Sequence, residues 1–115
     1  MRYLRGKPGA ARGKLTRDGT VLATPTHIEI TPRCERFSHD DACVVARTAS
    51  VTDDTQMVVI DLRFAREVTT AAFARLVLLR RRLRAEGRDL LLTNLGQRAA
   101  NLYQVNRLAT VLPCE

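Results

Sequence analysis

The pattern of apolar and polar positions predicts short strands that alternate with helices along most of the chain. Residues 20–23 follow an Asp-Gly turn signal, and residues 27–30 alternate apolar and polar side chains, which is typical of strands. Pro32 ends the second of these strands, because proline cannot donate a hydrogen bond to a neighbouring strand. The unbroken apolar runs at 57–60 and 90–92 indicate central strands that are covered on more than one side.

Two segments on either side of these central strands have the spacing of amphipathic helices. The first helix is predicted over 39–50, because Ser38 stands three residues before Asp41 in a pattern resembling a capping box. After a turn at 94–96, a final short helix and its exit are expected from the spacing of Ala99, Leu102, Tyr103 and Leu108. Residues 111–112 are expected to form a last edge strand.

The longest helix is predicted to begin after Thr69 and Thr70. A threonine at this position can cap the helix by accepting a hydrogen bond from a first-turn N–H group. Apolar side chains from Phe73 to Leu83 then recur at helical spacing, with most arginines on other sides of the helix. Gly87 is expected to supply the left-handed residue that ends it.

The order of these elements indicates the fold class. Strands that alternate with helices form βαβ units with right-handed crossovers. We therefore expect an α/β fold: a single small domain with a mixed central sheet of four to five strands and about three helices. The length of 115 residues suits one domain. No apolar run approaches the ~20 residues of a membrane-spanning helix, and the first residues lack the apolar core of a signal peptide, so a cytoplasmic location is expected.

The formal net charge of +7 is concentrated at the start of the chain. Residues 1–17 hold six basic side chains and no acidic one, whereas the remaining 98 residues hold 13 basic and 12 acidic side chains. With three glycines and a proline, residues 1–17 are interpreted as a flexible basic arm, and residues 18–115 as the domain. A solvated tail is the favoured interpretation. Contact of the arm with an anionic membrane surface is the alternative, and nucleic acid is not expected because stacking side chains are scarce.

Two cysteines and two histidines are the candidate metal ligands in this sequence. The four candidates lie within seventeen residues of one another, namely His27, Cys34, His39 and Cys43. Only His39 and Cys43 can share a helical face, whereas structural zinc sites usually bring in two closely spaced pairs. Residues 38–41 have the types of a catalytic triad, but neighbours in sequence seldom converge in that way. Neither a metal, a cofactor nor an enzymatic activity is therefore expected.

The stretch over 58–83 resembles the STAS domain of bacterial anti-sigma-factor antagonists. In that family an apolar strand ends in Asp-Leu, and about eight residues later Asp-Ser-Ser/Thr-Gly opens a helix that ends in Arg/Lys-Arg-Leu. Asp61 and Leu62 match the first motif, and residues 80–83 match the helix end. Residues 87–94 are similar to the family's next strand and turn.

The departure from the family lies at the helix start, where residues 69–72 read Thr-Thr-Ala-Ala. A hydroxyl is present at the regulatory position, Thr70, but the preceding acid and the following glycine are absent. The resemblance implies a non-catalytic module that docks an anti-sigma factor with histidine-kinase-like activity and so regulates transcription. Thr70, with Thr69 beside it, is the candidate for phosphorylation, and a domain that binds without a switch is the alternative.

The partner-binding residues implied by the resemblance surround this helix start, namely Arg66, Glu67, Thr69, Thr70 and Phe73. For Arg66 and Glu67 the alternative is ordinary solvated loop charge, and the helical spacing of Phe73 favours the core. A second functional hypothesis keeps the fold and changes the partner. Some STAS-like domains are cytoplasmic subunits of ABC-type lipid transporters, and these favour Thr at the acceptor position and a Leu-Pro near the C-terminus, as at 112–113.

Overall fold

The structure, a computed structural model, describes residues 11–13, 20–23, 26–50 and 57–115. Within these ranges the strands are Ala11–Gly13 (β1), Thr20–Ala23 (β2), His27–Thr31 (β3), Arg36–Phe37 (β4), Met57–Asp61 (β5), Glu67–Val68 (β6) and Asp89–Thr93 (β7). The α-helices are His39–Ser50 (α1), Thr70–Ala85 (α2) and Gln97–Val105 (α3), followed by a 3₁₀ turn at Leu108–Thr110.

The main sheet has the strand order β1-β2-β3-β5-β7. Strands β1, β2 and β3 pair antiparallel, whereas β3, β5 and β7 pair parallel. Helix α1 connects β3 to β5, and α2 connects β5 to β7, which makes two successive βαβ units. The predicted α/β class, with a mixed sheet of four to five strands and three helices, is confirmed.

Strand β1 lies within the segment that was interpreted as a basic arm. Its three residues pair with β2, with Ala11 opposite Ala23 and Gly13 opposite Val21. The sheet therefore begins before residue 18, where the domain was expected to start. Strand pairing of this kind needs only backbone hydrogen bonds, so the apolar pattern contains no sign of it. The other residues of the predicted arm lie outside the described residues.

The core lies between the sheet and the pair of helices α1 and α2. Alternate residues of the parallel strands are fully buried: Ile28, Ile30, Val58, Ile60, Leu90 and Leu92. They pack with the predicted apolar faces of the two helices, Ala42, Val45, Ala46 and Ala49 from α1 and Phe73, Leu76, Leu79 and Leu83 from α2. Burial of each large aliphatic side chain contributes about 1.5–3 kcal/mol.

The central strands were expected to be covered on more than one side, but the face that points away from the helices is only partly buried. Residues of β5 and β7 that point away from the helices, such as Val59 and Leu91, are half-buried in the described structure. The apolar runs therefore alternate in burial although they do not alternate in sequence. Both helices connect neighbouring parallel strands on the same face, and this leaves the second face more open.

The helix boundaries follow the predicted signals. Ser38 N–H donates to Asp41 Oδ2 over 2.9 Å, and Asp41 N–H donates to Ser38 Oγ over 3.4 Å, which completes the capping box of α1. At the end of α2, Gly87 has a φ of +79°, and the following N–H of Arg88 donates to Leu83 O over 2.8 Å. The left-handed glycine stop is confirmed.

The prediction of an edge strand at residues 111–112 was wrong. The N–H of Leu112 donates to Leu108 O over 2.7 Å, so it is used within a helical turn and is not available to a neighbouring strand. The edge of β7 is instead paired further on. Leu92 N–H donates to Pro113 O over 3.0 Å, and Glu115 N–H donates to Leu92 O over 2.9 Å, giving a single bridge at Cys114.

Candidate functional site

The candidate site lies at the carboxyl ends of the parallel strands, where α2 begins. The two-residue strands β4 and β6 form a small parallel sheet of their own there, with Arg36 opposite Glu67. Two backbone hydrogen bonds extend this pairing, from Glu67 N–H to Glu35 O and from Thr69 N–H to Phe37 O, both 3.0 Å long. The loop that precedes α2 is therefore held against the loop that precedes α1. In open α/β sheets this edge is where ligands and partners usually bind.

A buried carboxylate anchors the loops at this edge. Asp61, the last residue of β5, has a side chain only 3% exposed. Its Oδ2 accepts hydrogen bonds from Nε and Nη2 of Arg63 at 2.8 and 2.7 Å. Its Oδ1 accepts from the backbone N–H of Arg63 at 3.0 Å and from Nδ2 of Asn94 at 3.1 Å.

These contacts determine the protonation state of Asp61. Burial alone would raise the pKa of the carboxyl group, but the hydrogen bonds from Arg63 and Asn94 outweigh it and lower the pKa below its ordinary value. The carboxylate is thus ionised at neutral pH. Asn94 adopts a left-handed φ of 57°, which asparagine tolerates better than most residues, and its contact ties the turn after β7 to the loop after β5.

The two threonines at the start of α2 have different environments. Thr69 is half-buried and caps the helix, since its Oγ1 accepts a hydrogen bond from the N–H of Ala72 over 3.0 Å. Thr70 is the first helical residue and is exposed. The capping role is therefore filled by Thr69, and Thr70 is the exposed residue of the pair.

A surface groove of about 370 Å³ lies beside Thr70. It is lined by residues of β4, β6, α2 and α3, namely Arg36, Glu67, Val68, Thr69, Thr70, Arg98 and Leu102. Glu67 carries the negative charge of this lining and contacts both arginines. Its Oε2 accepts from Nη1 of Arg98 over 2.9 Å, and its Oε1 lies 3.8 Å from Nε of Arg36.

Of the five predicted partner-binding residues, three line this groove, namely Glu67, Thr69 and Thr70. Phe73 does not, because it is 1% exposed in the core and its ring centroid lies 6.2 Å from that of Tyr103. Its assignment to a binding surface is corrected accordingly. Arg66 has an 80% exposed side chain with Nη1 3.9 Å from Oε2 of Glu35, an exposed ion pair that contributes little to stability.

Sequence reasoning missed the two arginines of the groove. Arg36 and Arg98 are 62 residues apart in the sequence, and they meet only because β4 pairs with β6 and α3 packs beside β6. The exposed aromatic side chain of Phe64 was missed as well. It is 41% exposed, and the guanidinium carbon of Arg33 lies 4.5 Å from its ring centroid, within the range of a cation–π contact.

Cys34, Cys43 and Ser38 are chemically reactive residue types, and local contacts or burial account for the surroundings of each. Burial, with the charge of Asp41, raises the pKa of the Cys34 thiol to about 11. Cys43 Sγ lies 3.7 Å from Nδ1 of His39, one helical turn away. Ser38 Oγ donates to Asp41 within the capping box and is thereby not paired with His39 as a nucleophile would be.

Two absences concern the residues that the structure describes. Among those residues, no three or more His, Cys, Asp and Glu side chains gather into a group that could hold a metal ion. None of the helices described is long and apolar enough to span a membrane.

Comparison with known proteins finds no family model that matches the chain and no curated protein significantly similar to it.

Proposed function

We propose that this chain is a non-catalytic regulatory module of the cytoplasm, similar to anti-sigma-factor antagonists. It docks a soluble partner of the anti-sigma or histidine-kinase type, and phosphorylation of Thr70 switches the docking off. The docking surface is the edge of the domain formed by the start of α2 and the loops around β4 and β6.

The observation that carries this proposal is the division of roles between the two threonines. Thr69 accepts the capping hydrogen bond, so the accessible hydroxyl of Thr70 has no structural task in α2. Backbone hydrogen bonds and the Asp61 cluster hold this edge in place. A preformed, exposed hydroxyl beside a groove is what a protein kinase and a docking partner both require.

The groove lining also favours binding over catalysis. Among the described residues that line it, none is a histidine or cysteine, and the one carboxylate, that of Glu67, is paired with Arg98 and Arg36. In the phosphorylation step the partner supplies the catalytic groups. Thr70 Oγ1 forms a bond to the γ-phosphorus of a nucleoside triphosphate while the bond from that phosphorus to the bridging oxygen breaks. The hydroxyl proton passes to a base of the kinase, and a nucleoside diphosphate leaves.

A phosphoryl group at this position adds nearly two negative charges to the centre of the docking surface. The partner would have to strip water from that charge and pair it, so binding of the modified form is weaker. Because the charge lies at the amino end of α2, it stabilises the helix, and the fold itself is not disturbed.

The test is capture of the partner from native cell extract with the full chain, compared across a matched pair of variants. Ala71→Glu and Ala85→Glu introduce the same side chain at exposed positions near opposite ends of α2. We expect a kinase-type protein to be captured by the unchanged chain and by Ala85→Glu, and to be lost with Ala71→Glu. Incubation of the complex with ATP should add about 80 Da to the chain, and Thr70→Ala should abolish the addition.

Two results would refute the proposal. Equal loss of the partner with both glutamate variants would place the docking surface elsewhere. Capture of a membrane transporter ATPase in place of a soluble kinase would favour the transporter-subunit hypothesis.

A further inference from the structure

Glu67 is held by arginines from two other parts of the fold. Arg98 reaches it from α3 over 2.9 Å, and Arg36 reaches it from β4 over 3.8 Å. The side chains of Arg36 and Arg98 are 71% and 74% exposed, and that of Glu67 is 46% exposed. Ion pairs that are this exposed to water are weak, and they exchange partners readily.

Thr70 lines the same groove as these three charged side chains. It follows Glu67 by three residues, across the cap of α2, and it is an exposed residue. A phosphoryl group on this hydroxyl would enter a groove of about 370 Å³ that already contains two guanidinium groups. Guanidinium groups bind phosphate through paired hydrogen bonds, and a phosphate carries more charge and more acceptor oxygens than a carboxylate.

We propose that Glu67 is an exchangeable counter-ion, and that Arg98 and Arg36 leave it to bind the phosphoryl group when Thr70 is phosphorylated. This inference rests on the proposed function for the modification of Thr70 and specifies how the modification is read within the chain. Phosphothreonine then receives its hydrogen bonds from two arginines that the unmodified chain keeps in position.

The exchange alters more than the modified residue. In the unmodified chain the Arg98–Glu67 pair ties α3 to β6, whereas after the exchange Arg98 ties α3 to the start of α2. Glu67 loses both partners and presents its carboxylate to solvent next to the phosphate. One modification thus changes the docking surface at two places, because a phosphate paired with two arginines is added and the carboxylate of Glu67 is released.

The experiment uses the full chain with phosphothreonine installed at position 70 during translation, so that no kinase is needed. Titration by phosphorus NMR gives the second pKa of the phosphate, which is about 6 in ordinary phosphothreonine. We expect this pKa to rise by about half a pH unit in the double variant Arg36→Gln and Arg98→Gln, because two cations that favour the dianion are removed. Glu67→Gln should lower the pKa, because it removes a competing anion.

Arg81→Gln is the matched control, since Arg81 is an exposed arginine of α2 that does not line the groove. If the groove double variant and the Arg81 control give the same phosphate pKa, the inference is overturned. A second measurement needs no variant: the Nε–H resonance of Arg98 should shift when Thr70 is phosphorylated, and an unchanged resonance would also overturn it. Because neither measurement involves a partner, failure to capture one would refute the docking function alone.

Discussion

The buried carboxylate of Asp61 offers the most direct test of how this edge of the domain is held together. Asp61→Asn changes the side-chain volume very little, so no cavity forms. It removes the negative charge and replaces one carboxylate oxygen with an NH₂ group. This group is a donor, so it cannot accept the hydrogen bonds that the oxygen accepted. The variant therefore isolates the electrostatic and hydrogen-bonding contribution of one group.

The expected loss in the free energy of unfolding follows from the four contacts that Asp61 makes with Arg63 and Asn94. The backbone N–H of Arg63 and the amide of Asn94 each give a hydrogen bond worth about 1 kcal/mol. The guanidinium of Arg63 is 58% exposed, so its pair with Asp61 is screened by water and adds little to these two bonds. The total is about 2 kcal/mol, below the ~3–5 kcal/mol of a fully buried ion pair because the partners can turn to solvent.

Urea unfolding followed by far-ultraviolet circular dichroism measures this loss, since the chain contains no tryptophan to report by fluorescence. We also expect the Tm to fall by about 8–12 °C for a domain of this size. Glu35→Gln is the control, because Glu35 is 78% exposed and pairs with Arg66 only at 3.9 Å. The reasoning would be refuted if Asp61→Asn and Glu35→Gln differed by less than about 0.5 kcal/mol.

Three further predictions concern pH, helix capping and thiol reactivity. The pKa of Asp61 is lower in the folded state than in the unfolded state, so its contribution to the free energy of unfolding should be fully present above the unfolded pKa of about 3.9. That contribution should be lost as the pH falls through the lower folded pKa. The difference in urea midpoint between the natural chain and Asp61→Asn should therefore close only in acid. Thr69→Ala should lower the free energy of unfolding by about 1 kcal/mol, because it removes the cap of α2. Thr70→Ala should change it by less than about 0.5 kcal/mol. Equal losses for the two variants in urea unfolding would contradict the assigned roles. With a pKa of about 11, only about a thousandth of the Cys34 thiol should be thiolate at pH 8, so maleimide should react with Cys34 more slowly than with Cys43. Peptide mass spectrometry measures the order of labelling, and faster labelling of Cys34 would contradict its burial.

Much of the fold could be predicted because its signals are local. The capping box at Ser38 and the left-handed stop at Gly87 involve residues within one or two turns of each other, and both helix ends lie where these signals indicated. The strands over 57–61 and 89–93 are apolar runs of strand length. Their burial alternates because of which face the helices cover, and that follows from the connections and not from the runs themselves.

In the candidate site, too, the local features could be predicted from the sequence and the others could not. Local spacing was enough to identify Thr69 and Thr70 at the start of a helix, because a cap is formed by neighbours in the chain. Which of them caps and which stays exposed depended on backbone geometry at the helix start. The resemblance placed Phe73 among the binding residues, whereas its helical spacing favoured the core, and the core is where it lies.

What the sequence alone determined, then, is the order of the longer strands and the helices, and with it the α/β class, since hydrophobic periodicity and capping act over a few residues. Tertiary structure alone decided that β1 joins the sheet, that the chain end pairs at Cys114, and that Arg36 and Arg98 meet at Glu67. These contacts join residues far apart in the chain through backbone pairing and exposed charge. Neither leaves a periodic pattern in the sequence, and so they become visible only when the elements are packed together.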